Sequence, residues 1–213
     1  MKPNSRGMTL VELLVAMTLG LVVILAATTL FSATVGASSV SAKMSQLRND
    51  LNAISGLIAS DLRRAGYDGD ALSALARAAC SSNYETDCPF AFKASRDINA
   101  AQNCIVVRFD ADGDGNRDID SDEIRGYRLN GNQIQVATSW GASPENGCDN
   151  ASTWEAISYD GEVIINGLTF TYVSGAAGTN IRSIDIAISG AHATAPDLQM
   201  AISRTVRLRN DDI

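Results

Sequence analysis

Hydrophobic and polar positions divide the chain into three stretches. From Leu13 to Phe31, the apolar run is broken only by Thr18, Gly20, Thr28 and Thr29. No charged residue occurs between Glu12 and Lys43. A helix needs roughly 20 apolar residues to cross a bilayer, so this stretch predicts a membrane helix. Lys2 and Arg6 precede it, which places that end in the cytoplasm and everything after about residue 35 on the other side. Glu12 stands out, because a carboxylate at the edge of an apolar run is costly in lipid and calls for a cationic partner.

After Lys43 the pattern becomes that of an amphipathic helix. Met44, Leu47, Leu51, Ile54, Leu57 or Ile58, Leu62 and Ala65 recur at three- and four-residue steps, the spacing of one helix face. No proline interrupts residues 4–88, and Gly66 is a natural stop. One helix from Met8 to Ala65 would run roughly 85–90 Å at 1.5 Å per residue. A short helix is expected around residues 71–79. From residue 104 onward alternation predicts strands at 104–109, 123–129, 133–138, 163–173, 182–189 and 201–208. Asn130-Gly131-Asn132 reads as a hairpin turn between two of them. The expected class is α+β: a long N-terminal α-helix, its first half transmembrane, packed on an antiparallel β-sheet head.

Composition narrows the functions open to such a chain. Hydrophobic residues make up 46% of the 213, enough for a core, and charged residues 19%. The net charge is −7 and the pI about 4.6. That balance argues against nucleic acid as a partner, since phosphate neutralisation by Lys and Arg supplies most of such affinity. The single histidine, His192, excludes a multi-histidine metal site. It lies in a polar stretch, Gly190 to Pro196, where an exposed side chain is expected. No Gly-x-Ser-x-Gly or other catalytic constellation is present, so no enzyme is expected. Trp140 and Trp154 read as partial core residues, with an interaction surface as the alternative.

Asp110-Ala-Asp112-Gly-Asp114-Gly115-Asn116-Arg-Asp118 is the most specific local pattern in the second half. Carboxylates at alternate positions followed by Gly match the start of an EF-hand loop, in which a tight turn points several oxygens inward. The set Asp110, Asp112, Asp114, Asn116 and Asp118 is therefore a candidate calcium site. The twelfth position, where that loop has a bidentate Glu, is Ser121 here; Asp120, Asp122 and Glu123 lie near it and could serve after a shift. The alternative is a solvated acidic turn between two strands.

Four cysteines, Cys80, Cys88, Cys104 and Cys148, do not have zinc-ribbon spacing. Export of the head favours disulfides. Three pairings are open, and Cys80–Cys88 with Cys104–Cys148 is favoured because the first is local and closes a short loop. Free buried thiols are the alternative.

The stretch from Arg6 to Ala16, Arg-Gly-Met-Thr-Leu-Val-Glu-Leu-Leu-Val-Ala, resembles the class III signal of type IV pilins and type II secretion pseudopilins. In that family a basic leader ends in Gly and a prepilin peptidase cuts after it. The new N-terminal residue is N-methylated, and the fifth mature residue is Glu. Gly7, Met8 and Glu12 match those positions; Met stands at the first mature position where Phe is commonest. The resemblance implies a leader at 1–7, a transmembrane or filament-core helix at 8–35, an amphipathic half at 36–66 and a globular periplasmic head at 67–213. It also implies that Glu12 pairs with the N-terminal amine of a neighbouring subunit. Asp61-Leu-Arg-Arg-Ala-Gly-Tyr67 is similar to the helix end of PilW-type minor pilins. On its residues alone it is a helix end with cations near the negative dipole.

The function implied is that of a minor pilin, a non-catalytic subunit that helps initiate type IV pilus assembly near the tip. A J-type minor pseudopilin of type II secretion is the alternative, and a pilin-anchored adhesin a further one. The implied partners are other major and minor pilins or pseudopilins, the prepilin peptidase, the inner-membrane assembly platform and the lipid bilayer. The implied location is the bacterial inner membrane, single-pass, with the head in the periplasm.

Overall fold

The computed structural model describes residues 7–69, 88, 90–113, 119–140, 147–149, 151–175 and 182–209. The expected short helix near 71–79 lies outside them. The chain divides into two compact units, Met1–Ser45 and Gln46–Ile213. Helix α1, Leu10–Leu62, contributes to both.

In the first unit every described side chain up to Ala42 is exposed. Leu10 is 78% exposed and Phe31 71%. The helix is long and apolar enough to cross a membrane. The polar residues that interrupt the apolar run are satisfied within it. The hydroxyls of Thr18, Thr28 and Thr29 each donate to a carbonyl one turn back at 2.9 Å. Such back-bonding removes the penalty of an unpaired hydroxyl in hydrocarbon.

In the second unit α1 carries a buried stripe of Leu47, Leu51, Ile54, Ser55, Ile58, Ala59 and Leu62. This is the spacing read from the sequence, with Ile58 rather than Leu57 turned inward. Two antiparallel sheets follow. The first has order β1-β2-β3-β4, from Cys104–Arg108, Ile124–Asn130, Gln133–Trp140 and Ala151–Ala156. The second has order β5-β6-β7, from Val163–Ser174, Arg182–His192 and Ala195–Arg207. A one-turn helix α2, Ala94–Asp97, precedes β1. Backbone bonds join the sheets: Ile165 N–H donates to Asn132 O at 3.0 Å and Phe170 N–H to Gln102 O at 2.7 Å.

The core of this unit gathers Phe170, Ile184, Ile186 and Ile188 from the second sheet, Ile105 and Tyr127 from the first, and the α1 stripe. Gly190 lets the helix approach closely, since a Cβ there would sit 3.4 Å from Leu51 and 3.0 Å from the Ile164 carbonyl. An ion pair is buried with the core: Arg108 and Asp97, each 1% exposed. Arg96 brackets Asp97 from the other side at 2.8 Å, and Lys93 N–H donates to it at 2.7 Å. Such satisfaction is what makes a buried carboxylate tolerable.

This is the α+β, pilin-like arrangement expected from the sequence. Three readings need correction. His192 is buried, at 6% exposure, because β6 runs on to His192 and turns tightly into β7 at Ala195. Strand β7 starts at Ala195, six residues earlier than read; Pro196 is tolerated there because β7 is an edge strand. Strand β4 was missed: none of its residues is buried, so it shows no apolar alternation.

Candidate functional site

The N-terminal signal residues lie where helix α1 begins. Gly7, Met8 and Thr9 are exposed and non-helical, and the helix starts at Leu10. The backbone N–H of Glu12 donates to the Thr9 hydroxyl at 3.4 Å, and Leu13 N–H donates to the Thr9 carbonyl at 3.2 Å. Thr9 is therefore the N-cap and Glu12 sits at the third helical position, the spacing of a capping box. A carboxylate in the first turn also complements the positive end of the helix dipole. Glu12 thus sits one turn inside a helix start capped by Thr9, a placement that the Thr-x-x-Glu spacing signals and the sequence reading missed.

At the other end of α1, the Asp61–Tyr67 segment holds the helix to the head through contacts at nearly every position. The Tyr127 hydroxyl donates to Asp61 Oδ2 at 2.6 Å. The Arg64 guanidinium lies 3.9 Å from the centre of the Phe109 ring, a cation–π contact. Ala65 is buried. Gly66, at φ 76°, turns the chain so that its N–H reaches the Arg108 carbonyl at 2.9 Å. Tyr67 O accepts from Asp110 N–H at 2.9 Å. A segment read as a plain helix end is the link between the helix and the loop after β1.

That loop is the acidic motif. It joins two strands, β1 and β2, so the described residues on either side form strands where an EF-hand has helices. Asp110 is 2% exposed. Its Oδ2 accepts from Gly69 N–H at 2.8 Å and its Oδ1 from Gly113 N–H at 2.6 Å. Glu123 is also buried, at 3%. It accepts from Ala111 N–H at 3.1 Å and Asp120 N–H at 3.0 Å. Asp110, exposed Asp112 and Glu123 each present an oxygen within 4.8 Å of the others. Among the described acidic residues downstream, Glu123 is the one brought to Asp110 and Asp112. Burial, and then the charges of Asp110 and Asp112, push its carboxyl above the usual range, against the lowering effect of its two backbone bonds. Asp114, Asn116 and Asp118 lie outside the described residues.

An all-oxygen donor set of carboxylates suits a hard divalent cation such as calcium. The three described carboxylates fit that ion in type and convergence.

The disulfide expected between Cys104 and Cys148 is present, with Cα atoms 6.4 Å apart. It ties the start of β1 to the short helical turn at 147–149. Cys88 is also disulfide-bonded; its expected partner, Cys80, lies outside the described residues. Trp154 packs under the Arg128 guanidinium, 4.2 Å from the ring centre. Trp140 is half-buried against Gly126, where it leaves no room for a Cβ.

Comparison with known families gives two matches. The family described as prepilin peptidase-dependent protein B matches residues 40–208. The prokaryotic N-terminal methylation motif matches residues 2–28. No curated protein and no solved structure matches the chain.

Proposed function

From the premise that the chain belongs to the prepilin peptidase-dependent protein B family, we propose that it is a minor pilin of a type IV pilus. The family and the methylation motif make it a pilin-like or pseudopilin-like structural subunit. The finer reading is a non-catalytic subunit of PilW type that helps initiate assembly near the tip. Its single anchor would stand in the bacterial inner membrane with the head in the periplasm. Its partners would be other pilins, the prepilin peptidase and the assembly platform.

One observation carries this reading. The helix that follows a prepilin-type signal exposes every described side chain up to Ala42, an apolar surface that only lipid or other helices can cover. A subunit that leaves the bilayer for a filament core exchanges the first cover for the second. Glu12, the one charge in that helix before Lys43, would then meet the methylated amine of a neighbour.

We also propose that Asp110, Asp112 and Glu123 bind calcium together with Asp114, Asn116 and Asp118 of the same motif, locking the loop that the helix end grips. Two experiments test the assignment. Mass spectrometry of the membrane-extracted chain should show a mature N-terminus at Met8, methylated; a start near Thr28 or Thr34 would sink it. Deletion of the gene should abolish or reduce piliation and twitching. Loss of protein secretion with normal piliation would instead favour a minor pseudopilin of type II secretion.

A further inference from the structure

The last described strand combines an open edge with a group of cations that join no ion pair among the described residues. Arg63, Thr205, Val206, Arg207 and Arg209 line a groove of about 380 Å³. The three arginines are exposed, and among the described residues none of them joins an ion pair. Asp185, across the ladder from Thr205, accepts the Thr205 hydroxyl. In a chain with 24 Asp and Glu residues and 17 Lys and Arg residues, three arginines share one groove whose described lining includes no carboxylate. Their planar forks are suited to two-point contact with carboxylates.

Strand β7 leads into this groove. Among the described residues it is the outermost strand of its sheet and pairs with β6 alone. Among the described residues no backbone bond reaches its outer edge. Edge strands are commonly blunted by proline and charge. Here Pro196 and Asp197 do that at the start of β7, whereas residues 198–206 contain no proline and one charged residue, Arg204, whose guanidinium lies against Gly56 of α1. An open edge invites an added strand, whose backbone supplies affinity and whose side chains supply specificity.

We propose that the outer edge of β7 and the Arg63–Arg207–Arg209 groove form one docking surface for an extended acidic segment of a neighbouring protein subunit. The segment pairs along residues 198–206 and seats its carboxylates among the guanidinium groups. A phosphate or lipid headgroup would use the groove alone, whereas an acidic strand uses both features. The identity of the neighbour rests on the pilin reading; the surface itself does not.

The test uses the full chain in detergent and a fluorescent peptide of alternating Thr and Glu. Saturable binding is expected, weakened at least tenfold by Arg207→Glu or Arg63→Glu and within a few-fold of wild type for Arg207→Lys. Amide exchange at 198–206 should slow on binding. Unchanged melting of Arg207→Glu verifies that its fold is intact; Arg207→Gln serves if it is not. Equal binding by the charge-reversal variants, or no protection along β7, overturns the proposal. So does binding of phosphatidylglycerol vesicles, inorganic phosphate or duplex DNA in place of the peptide. Failure here with a methylated Met8 terminus would reject the surface and leave the pilin assignment standing.

Discussion

The hydroxyl of Tyr127 donates to Asp61 Oδ2 at 2.6 Å, joining the last turn of α1 to the middle of β2. Tyr127 is 2% exposed. Burial first, and then the neighbouring Asp61 carboxylate, push the phenol well above its ordinary range. Tyr127→Phe should therefore lower stability by about 1.5–3 kcal/mol, as expected for a hydrogen bond to a charged group. The phenol's folded value is the raised one, so its contribution is complete below the unfolded value. It is lost as pH rises past about 10, where the unfolded chain begins to ionise. Denaturant melts across alkaline pH should show wild type falling toward the phenylalanine variant.

The capping geometry at Thr9 separates two roles of Glu12. Glutamine keeps the capping-box position but removes the charge; alanine removes both. Peptidase cleavage after Gly7 should be nearly normal in Glu12→Gln and Glu12→Ala. If a neighbour's amine needs the carboxylate, both variants should fail to enter filaments. If capping is the whole role, only alanine should fail. Thr9→Ala should cost the helix start about 0.5–2 kcal/mol while leaving the charge in place. Immunoblots of sheared filaments against membrane fractions distinguish these outcomes.

The elements most legible in the sequence were those with a local period. The apolar run and the 47–62 stripe predicted α1 because helix burial repeats within one turn. Strands β1, β2, β3 and β5 alternate or are apolar throughout, and were found. Strand β4 was invisible because nothing in it is buried. The role of Asp61 and Arg64 was invisible for another reason. Their partners, Tyr127 and Phe109, are distant in sequence, and no local pattern encodes such contacts. The acidic loop was half legible: motif spacing gave Asp110 and Asp112, but only the β1–β2 pairing brings Glu123 to them.

Asp50 on α1 offers a stability test independent of assembly. It lines a cavity of about 220 Å³ with Glu162, and its buried Oδ2 has no hydrogen-bond partner among the described residues. Burial, then Glu162, push its carboxyl above the usual range, while His192 opposes them. A raised carboxyl stabilises the fold most fully below its unfolded value, and that contribution is lost as pH rises through the folded one. Asp50→Asn should therefore raise the melting temperature at neutral pH and have little effect near pH 4, about the ordinary value for aspartate. A lower melting temperature for the variant at neutral pH would show that the carboxylate is held by a partner instead.

The acidic loop gives the sharpest contrast, because one substitution should act in opposite senses with and without calcium. Asp110 and Glu123 are buried and bonded to backbone N–H groups, so replacing either would also damage the loop. Asp112 is exposed and brings its charge close to both. In EDTA, Asp112→Asn removes like-charge repulsion, and the full chain in detergent should melt no lower than wild type. In millimolar calcium the wild type should gain stability through linkage, by about 2.7 kcal/mol at a hundredfold excess over Kd. The variant, lacking a charged ligand at the third loop position, should gain much less. The two melting curves should therefore exchange order or converge as calcium is added. Magnesium should reproduce little of the effect, since it demands a compact octahedron and keeps its waters. Wild-type melting that is the same in calcium and in EDTA would leave the loop an acidic turn held by Asp110 and Glu123 alone.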